Sequence, residues 1–243
     1  MARSRKTPAP PDKGPAAARR PWYRRVLRAL ATGLVGLVLL AVALVALFAH
    51  VTPPPGAFML AERQRLGGIE RSWTPMARIN PHMARAAVAA EDANFCLHWG
   101  FDMAELRRAL DAGGRRGAST ISQQTVKNVF LWHGRSWPRK ALEAVLTPVM
   151  EATWSKRRIL EVYLNVAEFD AGVFGVEAAA RHYFGVSAAD LSLTQAARLA
   201  AILPDPKGRD AARPSAFVQR RAAAIADGAA TIARDGRAAC FGG

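Results

Sequence analysis

A run of 21 residues without a charge, Ala29–Ala49, is the most apolar segment of the chain. As a helix with a rise of about 1.5 Å per residue it is about 31 Å long, which matches a hydrocarbon core of about 30 Å. Trp22 and Tyr23 precede it at headgroup level, and the three prolines 53–55 end the helix on the other side. The run is too long for the apolar core of a cleaved signal peptide and too evenly apolar for a buried core helix. The pattern therefore predicts a retained transmembrane helix over residues 29–49.

Beyond the prolines, apolar residues recur three and four positions apart, which is the spacing of a helix buried on one face. Five helix starts combine a capping residue with such a run, at Asn80-Pro81, Ser119, Ser136, Ser155 and Ser192. No stretch alternates between apolar and polar residues for long enough to indicate a half-buried strand. We therefore predict an all-α fold for the part of the chain that follows the membrane helix.

The position of the basic residues matters more than their number. The chain has 34 Lys and Arg against 19 Asp and Glu, a net charge of +15, which by itself is typical of nucleic-acid binding. Residues 1–28 contain nine of these basic residues and only one acid, so more than half of the excess lies in a tail rich in Pro and Ala. A basic segment beside a membrane helix stays on the cytoplasmic side. This places residues 51–243 outside the cytoplasm and argues against nucleic acid as a partner.

These patterns divide the chain into a basic, disordered cytoplasmic tail at 1–28, a transmembrane helix at 29–49, a juxtamembrane linker or domain start at 50–78 and a folded domain at 79–243. Cys96 and Cys240 are the only cysteines. Two cysteines so far apart in sequence leave open whether they pair. Because neither a CxxC motif nor a cluster of Cys and His is present, we expect no structural metal site.

Three polar segments carry the candidate chemistry. Residues 91–102 begin with Glu91 and crowd three acids, a histidine and three aromatic residues together. Residues 117–128 bring hydroxyls, amides and a cation to the start of a helix, a surface suited to sugars and phosphate. Residues 135–143 set three cations before Glu143. Each segment also has a plainer interpretation: a solvated helix end, an exposed polar face, and a surface ion pair that contributes little.

Together with two later segments, these residues resemble the peptidoglycan glycosyltransferases. The matching motifs are E-D-x-x-F-x-x-H-x-G-F-D from Glu91, G-x-S-T-I-x-Q-Q-x-x-K-N from Gly117, R-K-x-x-E from Arg139, K-x-x-I-L-E-x-Y-L-N from Lys156 and G-x-x-G-x-x-x-A-A-x-x-Y-F-G from Gly172. Five motifs in this order are not expected by chance. The chain is most similar to the monofunctional biosynthetic type, which has one N-terminal anchor and nothing after the transferase domain.

The resemblance implies a lysozyme-like helical glycosyltransferase domain over residues 79–243 that polymerises lipid II. The growing glycan on undecaprenyl diphosphate is the donor, and the 4-hydroxyl of the next lipid II attacks it with inversion to form a β-1,4 link. Glu91 matches the family's general base, and walls of Phe95, Trp99 and Phe101 are expected to raise its pKa by desolvation. Glu143 matches a second essential carboxylate that orients the donor or its metal-bound diphosphate.

The remaining candidates divide by chemistry. The cations expected to contact the diphosphate are Arg108, Lys127, Arg135, Arg139 and Lys140. The residues expected to hold sugars or shape the cleft are Ser119, Thr120, Gln123, Gln124 and Asn128. No feature of the sequence requires a cofactor, although some members of the family respond to divalent cations such as Mg²⁺ or Mn²⁺ at the diphosphate.

The expected partners are lipid II, the growing lipid-linked glycan, the bilayer and proteins of the cell-wall synthesis or division machinery. The expected location is the bacterial inner membrane, with a single pass and a periplasmic catalytic domain. Because neither S-x-x-K nor K-[ST]-G occurs in the chain, we expect no transpeptidase activity. The alternative is a lysozyme-like muramidase, since a carboxylate pair in a helical domain also suits glycan cleavage. The cations argue against it, because hydrolysis between sugars releases no diphosphate.

Overall fold

The computed structural model describes residues 22–111, 113, 119–134 and 136–242. Within these ranges the chain forms ten α-helices and three short strands, so the predicted helical fold is confirmed. Most of the tail predicted to be disordered, residues 1–21, lies outside the described residues, and so does the candidate Arg135.

Helix α1 spans Trp22–Phe48 and crosses the boundary between two compact units, which divide after Val42. An 18-residue window of α1 has a mean hydropathy of 2.7, and by length and composition the helix could cross a membrane. The helix begins seven residues before the predicted apolar run and includes Arg24, Arg25 and Arg28. Basic side chains at the end of a membrane helix extend toward the headgroups, so the helical backbone need not stop where the apolar sequence stops.

The second unit contains the other nine described helices. They are α2 Ala57–Leu66, α3 Pro81–Glu91, α4 Met103–Asp111, α5 Ile121–Phe130, α6 Trp137–Thr153, α7 Lys156–Val166, α8 Val176–Phe184, α9 Leu193–Ile202 and α10 Ala216–Arg234. Helices α3, α9 and α10 pack against one another, and α5 packs between α6 and α7. Met83, Ile159 and Leu160 lie at the centre of the core with no exposed surface. These two groups of helices therefore form the scaffold behind α3 and α5.

The helix starts agree with the predicted capping residues at four of five positions. Asn80 accepts a hydrogen bond from the backbone of His82, and Ser155 and Ser192 cap α7 and α9 in the same way. Ser136 precedes α6, although its hydroxyl forms no capping hydrogen bond. The prediction for Ser119 is wrong, because the cap of α5 is the next residue.

A three-stranded sheet was not predicted. Its strands are β1 Glu70–Arg71, β2 Glu168–Asp170 and β3 Val173–Phe174, in the order β1-β3-β2. β1 runs parallel to β3, with Glu70 opposite Val173, and β2 runs antiparallel to β3. Strands of two or three residues are too short to show alternation, so the periodicity of the sequence does not indicate them.

The two later sequence motifs hold this region together. The Asn165 side chain accepts a hydrogen bond from Thr74 N at 2.7 Å and donates one to Thr74 O at 2.8 Å. Gly175 has φ +87°, and a Cβ there would lie 3.0 Å from the carbonyl oxygen of Asn165. Only glycine fits this close, left-handed position easily. These motif residues therefore tie α7 to the segment after β1 and hold the start of α8 close to the end of α7.

Cys96 and Cys240 form a disulfide, with their Cα atoms 5.7 Å apart. The bond joins the loop after α3 to the C-terminal segment and so answers the question that the sequence left open. Phe241 is buried beside it, 6.3 Å from Phe95 between ring centroids. Arg157 donates a hydrogen bond to the carbonyl oxygen of Phe241 at 2.8 Å.

Candidate active site

Glu91 is the last residue of α3, and the sequence of that helix determines where its carboxylate lies. Asn80 and Pro81 set the start of the helix. Met83, Ala87 and Val88 bury one face against the core. Because both the start and the buried face of the helix are constrained, the backbone of Glu91 at its end has a defined position.

The Glu91 carboxylate is largely removed from solvent, with 13% of the side chain exposed. Gln124 on α5 donates a hydrogen bond from Nε2 to Glu91 Oε2 at 3.0 Å. Arg221 on α10 places Nη2 3.8 Å from Oε1. Desolvation by burial raises the pKa of Glu91, while the Gln124 hydrogen bond and the Arg221 charge act in the opposite direction.

The origin of this desolvation differs in part from the prediction. Phe95 is fully buried in the core, but Trp99 is 64% exposed and provides little shielding. The raised pKa of Glu91 instead reflects its place among α3, α5 and α10. Burial by packed helices is a tertiary feature, and the aromatic residues near Glu91 in sequence do not reveal it.

Asp92 ties the end of α3 to the start of α5. Its Oδ1 lies 2.7 Å from Nε2 of His98, and its Oδ2 accepts a hydrogen bond from Ile121 N at 3.0 Å. The Asp92 side chain is 2% exposed, and so the link is protected from solvent. The adjacent acids therefore differ in their partners: Glu91 accepts from Gln124 and lies near Arg221, whereas Asp92 holds two segments together.

The start of α5 is fixed by a capping box. Thr120 Oγ1 accepts a hydrogen bond from Gln123 N at 3.2 Å, and Gln123 Oε1 accepts one from Thr120 N at 3.1 Å. Thr120 also donates to the carbonyl oxygen of Gly100 at 2.7 Å. Both side chains are buried, so these two predicted sugar contacts are occupied by bonds within the protein.

Glu143 lies at the centre of an ion cluster and is 2% exposed. Arg139 Nη1 approaches Oε2 at 2.7 Å, and Lys140 pairs with Oε1. Gln123 Nε2 adds a longer contact of 3.4 Å to Oε1. The interpretation as a surface ion pair is therefore wrong for the carboxylate, which is buried, and only 12% of the Arg139 side chain is exposed.

Lys127 lies one turn after Gln123 on α5, where the carboxylates of Glu143 and Glu91 both act on its charge. Desolvation lowers the pKa of Lys127, the two carboxylates raise it, and Arg139 and Lys140 lower it again. Within the described residues its ammonium group forms no ion pair within 4 Å. Lys127 is thus a partly buried cation whose charge is available to an anion in the cleft.

Two cavities adjoin the hydrogen bond between Gln124 and Glu91. The first, of about 410 Å³, is lined by Gln124, Lys127 and Asn128 together with Tyr163 and Lys207. The second, of about 400 Å³, is lined by Glu91, Asp92, Ser119, Thr120 and Arg108 among others. The Glu91 carboxylate and its hydrogen-bond partner therefore belong to different cavities.

The remaining predicted residues are less closely engaged. Arg108 is 65% exposed and pairs with Glu105 at 3.0 Å. Asn128 Oδ1 lies 3.2 Å from Nε2 of His133, a ring that stacks on Phe58 with centroids 3.6 Å apart. Partial burial and the nearby charge of Lys127 lower the pKa of His133 to about 4.

Some residues of the site are not indicated by any pattern in the sequence. Arg221 occurs in an alanine-rich helix without a motif. Lys207, which lines the first cavity, pairs with Glu62 at 3.1 Å and with Glu168 at 3.4 Å. Glu151 is different, since it pairs at 2.8 Å with Lys156, the first residue of a motif. Within the described ranges, no group of three or more His, Cys, Asp or Glu side chains is placed to hold a metal ion.

Known proteins match this chain over most of its length. The sequence model of the family described as "Transglycosylase" matches residues 59–230. A protein of Jannaschia sp. (strain CCS1) named biosynthetic peptidoglycan transglycosylase is 61% identical over 226 residues, which cover 93% of this chain and 92% of the relative. Proteins with the same name from Rhodospirillum centenum and Caulobacter vibrioides are 52% and 47% identical. They cover 89% and 90% of this chain, and 96% and 98% of their own lengths.

Proposed function

This chain belongs to the transglycosylase family and is a glycosyltransferase, and on that premise we propose that it polymerises lipid II into β-1,4-linked glycan strands. The donor is the growing glycan on undecaprenyl diphosphate, and the acceptor is the 4-hydroxyl of the next lipid II. The observation that carries the proposal is the position of a buried, hydrogen-bonded Glu91 beside two cavities and a group of cations.

Glu91 acts as the general base in this proposal. It must take a proton from a hydroxyl as that oxygen attacks the anomeric carbon, a task that suits a carboxylate with a raised pKa. The hydrogen bond from Gln124 holds Oε2 and leaves Oε1 available to the acceptor hydroxyl. General base catalysis of this kind contributes about 10² to 10⁴ in rate.

Lys127, Arg139 and Lys140 stabilise the negative charge that develops on the departing diphosphate. Lys127 forms no ion pair within the described part of the chain, and a partly desolvated ammonium group stabilises an anion more strongly than one in bulk water. Glu143 holds Arg139 and Lys140 in place, since it pairs with both. We therefore assign Glu143 to orienting these cations.

The arrangement is compatible with inversion at the anomeric carbon. Inverting transfer requires the base and the leaving group on opposite faces of the sugar ring. Glu91 comes from α3, whereas the cations come from α5 and α6. The base and the diphosphate-binding groups are thus supplied by separate elements, and the two cavities provide volumes for the two substrates.

The residues around Glu143 do not fit a divalent cation. A Mg²⁺ or Mn²⁺ ion prefers several unoccupied oxygen ligands. The Glu143 carboxylate already accepts from Arg139, Lys140 and Gln123, and the neighbouring Lys127 would repel a metal ion. The protein's own cations are therefore the groups that meet the diphosphate in this proposal.

The catalytic domain is proposed to lie in the periplasm of a bacterial cell, anchored by α1 in the inner membrane. The basic residues before α1 favour a cytoplasmic N-terminus. The Cys96–Cys240 disulfide supports the same orientation, because such bonds persist in oxidising compartments and are rare in the cytosol. Partners in cell-wall synthesis or division, and the absence of transpeptidase activity, remain predictions.

Incubation of the detergent-solubilised protein with purified lipid II tests the proposal. We expect polymeric glycan and released undecaprenyl diphosphate. The matched reaction contains preformed glycan without lipid II, and there we expect no change in chain length. Shortening of that glycan, with no polymer from lipid II, would identify a muramidase and refute the proposed transfer.

A further inference from the structure

Helix α10 brings a basic residue to the end of α3. Val218, Ala222 and Ile225 bury one face of α10, and Arg221 lies at the edge of that face. The two helices are in close contact here, because a Cβ at Gly228 would lie 3.3 Å from Cβ of Ala89. The stem of Arg221 is therefore constrained by helix packing.

The guanidinium of Arg221 faces the Glu91 carboxylate without a direct hydrogen bond to it. Nη2 lies 3.4 Å from the carbonyl oxygen of Ala90 and 3.8 Å from Glu91 Oε1. The Nε–H is buried and has no hydrogen-bond partner among the described residues. An unpaired buried donor costs free energy and requires an explanation beyond stability.

Among the residues that the structure describes, charged and titratable groups that act on Glu91 come from α5, α7, α10 and the residue after α3. Arg221 approaches from α10 and Lys127 from α5, while Asp92 follows Glu91 in the chain and Tyr163 belongs to α7. Two of these groups are cations. The proposed function assigns Lys127 to the diphosphate, so a bound substrate neutralises that charge. Among the described residues named above, Arg221 is then the cation that still opposes protonation of the base.

We propose that Arg221 is a positioning residue that keeps the Glu91 carboxylate charged and oriented toward the cleft. This role rests on the proposed function of Glu91 as the base. The separation of 3.8 Å suits it, because a bidentate pair would occupy both carboxylate oxygens. At the observed distance the positive charge stabilises the anion, while Oε1 stays free to accept a proton from the acceptor hydroxyl.

The test is the dependence of kcat on pH for polymerisation of saturating lipid II by the full-length protein, because kcat reports the pKa of the base in the substrate-bound enzyme. The variants are Arg221→Gln, Arg221→Met and Arg221→Lys, with Arg220→Gln as the control, because Arg220 is the exposed neighbour on the same helix. An opposite charge at about 4 Å lowers a carboxylate pKa by about one unit. We therefore expect the acidic limb to move up by about one pH unit in the Gln and Met variants. It should stay in place in the Lys variant and the control.

The outcomes separate the two proposals. A limb that stays at the wild-type pH in both neutral variants, or a rate that falls equally at all pH values, would overturn the role of Arg221 and leave polymerisation intact. The role of Arg221 would also be overturned if the acidic limb of the Arg220→Gln control moved as far as that of Arg221→Gln. A wild-type protein that consumes no lipid II would instead refute the proposed function, and the role of Arg221 with it.

Discussion

Replacing both Cys96 and Cys240 with serine should destabilise the folded domain strongly. The disulfide closes a loop with a sequence separation of 144 residues, which encloses α4 to α10. In the chain-entropy description, cross-linking a loop of this length removes conformational entropy from the unfolded chain and raises its free energy by about 5 kcal/mol at 25 °C. For a domain of this size, 1 kcal/mol corresponds to about 2–4 °C in melting temperature. The double variant should therefore melt about 10–20 °C below the oxidised protein.

The measurement is thermal unfolding of the detergent-solubilised protein followed by circular dichroism, with and without a reductant. Wild type in reductant, Cys240→Ser alone and the double variant should coincide, since each lacks the same bond. The reductant should leave the double variant unchanged. A double variant that melts within about 3 °C of the oxidised wild type would show that loop closure does not stabilise this domain.

Three further substitutions test the roles assigned to the site. Lys127→Met should lower kcat/KM for lipid II by about 10²-fold and leave the melting temperature nearly unchanged; equal activity with lost stability would make Lys127 structural. Glu143→Gln should lower the free energy of unfolding in urea by about 3 kcal/mol, because it leaves Arg139 buried and unpaired; an unchanged urea midpoint would contradict this. His133→Phe keeps a ring against Phe58 but removes a group whose pKa is lowered to about 4. The unfolded chain then no longer binds an extra proton at this position as pH falls from the ordinary histidine pKa of 6.5 toward 4, so the variant should lose less stability than wild type across that interval. Parallel pH–stability curves for wild type and His133→Phe would show that the pKa of His133 is not lowered in the folded protein.

The elements that could be predicted from sequence are those specified by local chemistry. The cap at Asn80 and the proline after it mark the start of α3, and they do so wherever the helix packs. For α5 the sequence does contain the capping signal, but the capping residue is Thr120 and not Ser119. Thr120 and Gln123 form the capping-box spacing, whereas Ser119 is followed three residues later by a serine, which cannot complete the box.

The residues that escaped prediction act through tertiary contacts. Glu91 was identified from a motif, but its neighbour Arg221 comes from a helix 130 positions away with no motif of its own. The sequence does not predict the burial of Glu143 either, because a carboxylate three and four residues after two cations is the spacing of an exposed ion pair on a helix. Its burial depends on packing against α5, which supplies Gln123. The short strands depend on pairing between distant segments, which periodicity does not report.

The rate of lipid II polymerisation by Glu91→Gln tests the central claim most directly. Glutamine preserves the size of the side chain and can still hydrogen-bond with Gln124, so the variant should fold with a melting temperature close to that of wild type. We predict that its rate falls by about 10² to 10⁴, because the amide cannot accept the proton of the acceptor hydroxyl. Polymerisation at the wild-type rate by the folded variant would contradict the assignment of Glu91 as the base.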